Sequence, residues 1–242
     1  MGKLDGKVAV VTGGSRGIGR AIARGLAAEG AKVVITARSA ETLRQTAQEL
    51  SRGGATVVAV PADVTDEAQV ASLFGRTTEL FQRLDILVNN AGVFDGGALD
   101  ELSAETWDKV MSVNLRGPFL CTRAALRIMK PQRSGRILNL GSIAAQRPRM
   151  TGAAYAASKF GVWALTNVTA LEGREFGISA CCLHPGNVPF EDPSTPDIRV
   201  NEPMMSAEEV AEVAVMMASQ PAHVNVLEAI MLPVRQAYLG RS

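Results

Sequence analysis

The sequence predicts an α/β fold, a doubly wound parallel sheet of about seven strands with helices on both faces. Three observations predict it. Seven short runs rich in Val, Ile and Leu recur along the chain, without the strict alternation of a sheet that keeps one face wet. Helix-length segments separate them, long enough to carry parallel crossovers. The 242 residues are 47% hydrophobic, sufficient for a core on both sides of a sheet, and no repeat or linker divides them. One domain spanning 1–242 is therefore expected.

The first strand is expected over Lys7–Thr12 and leads through Thr12-Gly-Gly-Ser-Arg-Gly-Ile-Gly19 into a helix over Ile18–Glu29. Glycines between an apolar strand and a helix let backbone N–H groups approach a pyrophosphate at the helix N-terminus. The second strand, Lys32–Ala37, ends in Thr36-Ala37-Arg38, with no carboxylate to bond a ribose 2′-hydroxyl. Arg38 offers a planar donor fork suited to a 2′-phosphate, and Arg16 in the glycine turn can flank the same group. These charges favour NADP(H) over NAD(H). A helix over Ala40–Arg52 and a strand over Thr56–Val60 lead to Asp63-Val64, where an aspartate before Thr65-Asp66 also suits a turn or a helix N-cap. After a helix over Glu67–Phe81, the fourth strand, Ile86–Val88, closes on Asn89-Asn90-Ala91-Gly92. Its small residues allow a close approach of the backbone to a ligand, and its asparagines can hold the central strands together.

A long helix over Ala104–Met129 carries Asn114 at its middle. Asparagine is a mediocre helix former and needs a reason there, which a bend near Gly117-Pro118 would supply. The strand Arg136–Leu140 ends at Ser142, and a helix over Ala153–Phe176 sets Tyr155 and Lys159 one turn apart on one face. A phenol ordinarily titrates near pH ~10 and carries protons poorly at neutral pH, and a neighbouring ammonium favours its anion. The sixth strand, Ser179–Leu183, precedes Pro185-Gly186. The segment Pro189–Pro203 has four prolines, four acidic residues and no period, an irregular connection placed where it can cover a substrate. A helix over Ala207–Ala218 and a strand over Val226–Leu232 finish the sheet.

The succession of glycine turn, Asn89-Asn-Ala-Gly92, Asn114, Ser142 and Tyr155-Ala-Ala-Ser-Lys159 resembles the short-chain dehydrogenase/reductases, in their shorter single-domain branch, over nearly the whole chain. Gly13, Gly17 and Gly19 have the Gly-x-x-x-Gly-x-Gly spacing of that family. The resemblance implies a Rossmann-like fold and hydride transfer between a nicotinamide and a carbonyl/alcohol substrate. Tyr155 would be the general acid in reduction and the base in reverse, with Lys159 tuning it and binding the nicotinamide ribose. Ser142 would bond the substrate oxygen, and Asn114 would hold a water linking Lys159 to solvent. Cofactor contacts would run from Gly13, Ser15, Arg16, Gly17, Ile18 and Gly19 through Arg38. Asp63 and Val64 would serve the adenine, and Asn90, Ala91 and Gly92 the adenosine ribose. Tyr155, Lys159, Pro185, Gly186 and Val188 would complete the set around the nicotinamide.

The pattern also departs from the family. Phe190 stands where a carboxamide-contacting threonine is usual, and His223–Val234 lacks the glycine-rich strand signature common near the C-terminus. Phe190, with Phe94, Met150 and Ile143, adds apolar surface, so a partly apolar ketone or aldehyde is expected. Members commonly pair through their two long central helices, implying a homodimer or homotetramer, and the tail 235–242 could reach a neighbouring subunit.

A net charge of +1 without a basic run argues against nucleic acid as a partner. No stretch has the length of a membrane span and no apolar signal region opens the chain, so a cytoplasmic protein is expected. Three cysteines is an odd number without metal-ligand spacing, and Cys181 and Cys182, adjacent in a strand, should point to opposite faces as reduced core residues. His184 and His223, the only histidines, read as neither metal ligands nor triad bases, so no metal is expected. Two other readings stay open: a nucleotide-sensing binding protein with little turnover, and a dehydratase or epimerase of the longer branch. The intact Ser142, Tyr155 and Lys159 weigh against the first, and the glycine spacing against the second.

Overall fold

Every strand of the computed structural model runs parallel to its neighbours, and residues 2–191 and 201–238 are described. The strands are β1 (Val8–Thr12), β2 (Lys32–Thr36), β3 (Val57–Ala59), β4 (Ile86–Asn89), β5 (Gly135–Leu140), β6 (Ile178–Pro185) and β7 (Glu228–Met231). Between them lie α1 (Gly17–Ala28), α2 (Ala40–Leu50), α3 (Glu67–Phe81), α4 (Ala104–Met111), α5 (Gly117–Gln132), α6 (Ala153–Gly173) and α7 (Ala207–Ala218). The sheet order is β3-β2-β1-β4-β5-β6-β7, the doubly wound arrangement expected. Order reverses between β1 and β4, and the carboxyl ends of the strands at such a reversal are where sheets of this kind bind ligands.

Burial explains the unalternating strands. All five residues of β1 are buried, yet its side chains still divide by parity between two cores. Ala9 and Val11 pack with Ile22 and Leu26 of α1 and with Val210 and Met217 of α7. Val10 faces the opposite layer, with Leu73 of α3 and Leu120 and Met129 of α5. Cys181 lies in the first core, and Cys121, Cys181 and Cys182 are all buried free thiols, pushed up to about 12 chiefly by burial.

Strand bounds differ from the sequence reading by no more than two residues at either end. The larger difference is inside the helix expected over Ala104–Met129. It runs on to Gln132 and is interrupted by a π-turn at Ser112–Arg116, where the Gly117 N–H bonds Ser112 O five residues back. Proline accounts for the turn: Pro118 has no N–H to give Asn114 O and its ring would crowd that carbonyl in an α-helix. The helix expected to Phe176 ends at Gly173 and tightens into a 3-10 turn over Arg174–Phe176. Of the expected covering loop Pro189–Pro203, residues 192–200 lie outside those described, as do 239–242 of the tail. Residues 233–238 fold back on their own chain: the Tyr238 hydroxyl donates to Gln146 and Gln236 Oε1 accepts from Asn187 N at 3.0 Å. Among the described residues, no helix is long and apolar enough to cross a membrane.

Candidate active site

The nucleotide-facing half is built from the turn after β1 and the end of β4. Gly13 has φ +65 and Gly17 φ +51, in the left-handed region that glycine tolerates. Gly19 is required for space, since a Cβ there would lie 2.2 Å from Gly13 O and 2.3 Å from Asn90 Nδ2. Asn90 Nδ2 donates to Thr12 O (2.9 Å) and Gly13 O (3.2 Å), while Thr12 Oγ1 accepts from the N–H groups of Asn90 and Ala91, both at 3.0 Å. Asn89 Nδ2 bonds Asn139 Oδ1 on β5 at 2.8 Å and Thr122 Oγ1 on α5 at 3.1 Å. The asparagines thus join β1, β4 and β5, as their sequence positions suggested, and Thr12 is a linking residue that the motif had not singled out.

Around this turn the predicted residues divide. Arg16 precedes α1 in extended conformation and is exposed, Ile18 is partly buried against the first core, and Ser15 O accepts from Thr46 Oγ1 at 3.0 Å. Arg38 is exposed just beyond β2. Asp63 Oδ1 accepts from Thr65 N and Thr65 Oγ1 at 2.9 and 2.8 Å, closing a turn, while Asp66 is the N-cap of α3. The Val64 side chain is a core residue, filling the space beside Gly117, where a Cβ would lie 2.9 Å from Val64 Cγ2. Gly92 lies at the side of Asn114, and a Cβ there would be 3.4 Å from its Oδ1.

The other half gathers where β5, β6 and α6 meet. Lys159 is buried, and its Nζ donates to Leu140 O at the end of β5 (2.7 Å) and lies 5.6 Å from the Tyr155 ring centroid. Ser142 follows two residues after Leu140, its Oγ accepting from Ala144 N at 3.1 Å. Asn114, in the π-turn, clamps Val93 beyond β4: its Oδ1 accepts from Val93 N (2.8 Å), and its Nδ2 donates to Val93 O (2.9 Å) and Ser158 Oγ (3.2 Å). Ser158 Oγ donates to Tyr155 O at 2.7 Å, so Asn114 connects the β4 loop to the turn of α6 that carries Tyr155. Gly186 N donates to Met231 O at 2.7 Å next to Pro185, and the Val188 side chain is buried in the first core.

One expectation changes. Ile143 is buried in a 3-10 turn after Ser142 and adds no open apolar surface, whereas Met150 is exposed. Phe94 packs edge-on to Tyr155 (centroids 5.1 Å) and against Phe190 (5.9 Å), an aromatic row leading from the phenol. His184 has a place that its sequence context did not reveal. Fully buried at the end of β6, it lies with Nδ1 3.2 Å from Ser142 N and 2.9 Å from Ser142 O, and Nε2 3.4 Å from Glu228 Oε1 on β7. Burial holds the imidazole below its ordinary value, although Ser142 and Glu228 pull the other way. A space-filling neutral ring thus backs the main chain of Ser142. Among the described residues, no group of His, Cys, Asp and Glu could hold a metal ion.

The family model described as short chain dehydrogenase matches residues 7–192. An uncharacterised oxidoreductase of Staphylococcus epidermidis is 34% identical over 235 residues, covering 97% of this chain and all of that protein. A 3-oxoacyl-[acyl-carrier-protein] reductase of Synechocystis is 40% identical over 187 residues, 77% of this chain and 76% of that one. A crystal structure of a metagenomic short-chain oxidoreductase in complex with NADP superposes with a TM-score of 0.84 at 34% identity, covering 96% of this chain and 98% of the other.

Proposed function

The chain belongs to the short-chain dehydrogenase family and is an oxidoreductase of that type, and from this premise we propose that it transfers hydride between NADP(H) and a carbonyl/alcohol substrate with Tyr155 as the proton carrier. The observation that carries the reading is the Lys159 ammonium, buried, tied to Leu140 O and set beside the Tyr155 ring. Burying an ammonium is costly and the hydrogen bond to Leu140 O offsets only part of that cost, which marks Lys159 as a candidate functional group. It joins the α6 turn bearing Tyr155 to the strand end bearing Ser142, at the carboxyl edge where such sheets bind ligands.

The glycine turn fits a dinucleotide: a Cβ at Gly13 or Gly19 would collide with Asn90, Ala91 or Gly13 itself, so only glycine lets the turn close this tightly, the space beside Gly17 is open, and the Gly17 N–H already donates to an anionic oxygen, that of Glu191. Arg16 and Arg38 suit a 2′-phosphate, and the NADP in the superposed metagenomic structure supports the same choice. Asp63, Asn90 and Gly92 would line the adenosine end, with Pro185, Gly186 and Val188 at the nicotinamide end. The bound cofactor supplies the hydride. On reduction, the Tyr155 phenol donates its proton to the substrate oxygen, to which the Ser142 hydroxyl also donates a hydrogen bond. His184 keeps Ser142 in place from behind. Asn114, whose carbonyl lacks the Pro118 N–H it would otherwise receive, would hold a water for reprotonation. The row Tyr155–Phe94–Phe190 suits a substrate with an apolar part.

The test is NADPH and NADH oxidation followed by absorbance over ketones, aldehydes, 3-oxoacyl thioesters and quinones. The Synechocystis relative makes the thioesters the first class to try. Tyr155→Phe should keep NADPH binding and lower turnover at least ~100-fold. Full activity in that variant would remove Tyr155 as the acid, and NADPH binding without turnover of any class would favour the sensor reading.

A further inference from the structure

Glu191 reaches the start of α1 from the far end of the chain. Its Oε2 accepts the Gly17 N–H at 2.8 Å, and its two carboxylate oxygens accept from Arg20 Nη2 at 3.0 and 3.1 Å. The Gly17 N–H is a first-turn donor that no residue of α1 can satisfy, and the helix dipole favours negative charge there. The carboxylate does not exhaust the place. Arg20 Nε is buried and has no acceptor among the described residues, and nothing lies within 4 Å of a Cβ built on Gly17. An anion with more oxygens would engage both the open side of the turn and the second face of the guanidinium. Phe190, one residue before Glu191, is seated on Phe94, so this short segment touches both halves of the site.

We infer that Glu191 is an internal carboxylate that occupies the pyrophosphate seat of the glycine turn, at the Gly17 N–H and beside Arg20, until the nucleotide displaces it. The inference rests on the nucleotide reading of the preceding subsection and adds Arg20 to the binding residues given there. Two anions cannot share one N–H and one guanidinium without strong repulsion, so the carboxylate must leave as the diphosphate enters. Apparent affinity is then the intrinsic affinity reduced by the fraction of molecules in which the seat is open. Glu191 thereby sets how much cofactor the protein needs, without touching the reacting atoms.

The experiment pairs Glu191→Gln and Arg20→Met, both at partly exposed positions, and reads two ligands on the full chain. NADPH affinity is measured by titration calorimetry, and inorganic pyrophosphate by the rise it causes in the unfolding temperature. Glu191→Gln should bind NADPH about tenfold more tightly than the unmodified chain, the scale of one charge-assisted hydrogen bond no longer competing for the seat. Pyrophosphate should also stabilise this variant more. Arg20→Met should weaken both ligands, and the gain from Glu191→Gln should shrink in its background. Unchanged or weaker binding of both ligands by Glu191→Gln would overturn the self-occupied seat, and unchanged binding by Arg20→Met would remove Arg20 from it. A pyrophosphate gain in a protein that takes neither NADPH nor NADH would uphold the anion seat while sinking the nucleotide reading.

Discussion

Arg38 leaves β2 two residues beyond the last register pair, Thr12 with Thr36, and its side chain is exposed. A guanidinium there costs little to hold and gains most from a doubly charged phosphate, whereas an aspartate would repel that phosphate and accept from a 2′-hydroxyl. Arg38→Asp should therefore lower the ratio of kcat/KM for NADPH over NADH by about ten- to a hundredfold, the range of one or two charge-assisted hydrogen bonds. An unchanged ratio would take Arg38 out of the 2′-phosphate site. His184 shows the opposite case at the same scale. Its packing against Ser142 and its edge-on contact with Trp163 (5.7 Å) come from residues far apart in sequence, so no local motif could announce them.

Among the elements, the π-turn before α5 and the starts of β1 and β4 depend on single polar side chains. Asn114 makes two hydrogen bonds to the Val93 backbone and one to Ser158. Asn114→Ala should cost about 2–3 kcal/mol in urea unfolding, at about 1 kcal/mol per bond, and should depress turnover with it. A variant of unaltered stability would show that the π-turn holds itself. At the opposite edge of the sheet, Asp85 accepts from Val8 N (2.9 Å) and Arg83 Nε (2.8 Å), and pairs with Lys7 at 3.3 Å. Burial alone would raise its carboxyl, but Arg83, the Val8 N–H and Lys7 outweigh it and hold the group below its ordinary value. A depressed folded value means that the stabilisation is full above the unfolded value near ~4 and is lost as pH falls through the folded one. Asp85→Asn should cost about 1–3 kcal/mol at neutral pH, and the difference from the unmodified chain should narrow once the pH falls below the unfolded value near ~4 and close below the folded one. Equal unfolding midpoints at neutral pH would refute this account.

For the whole molecule, the parallel sheet collects Thr12, Asn89, Leu140 and Pro185 at one edge, although they are spread over most of the chain. The outer face of α6 adds a second global feature. Phe160, Val168 and Leu171 are 48%, 50% and 61% exposed at positions that share one side of the helix, and Phe119 of α5 is 44% exposed. Such a face suits burial against a second copy of the chain, in line with the pairing expected for this family. Replacing Val168 and Leu171 together by Glu should convert a dimer or tetramer into monomers in sedimentation velocity. If the unmodified chain sediments as a monomer, the expected assembly is wrong.

The sequence by itself determined the layers, because a strand buried on both faces must be uniformly apolar and a helix must repeat its apolar face every turn. It also determined the glycine positions of the turn and the Tyr155–Lys159 spacing, since close approach and helical pitch are local constraints. The π-turn was half legible: Asn114 and Pro118 marked a disturbance, while its form followed from which carbonyl the proline ring would crowd. Tertiary structure alone decided that Val64 is a core side chain, that Ile143 is buried, and that residues 233–238 fold back on their own chain. It alone placed Glu191 on Gly17, 174 residues away. Contacts of that separation are set by how packed elements meet, and pairing of this kind leaves no period or spacing in the chain.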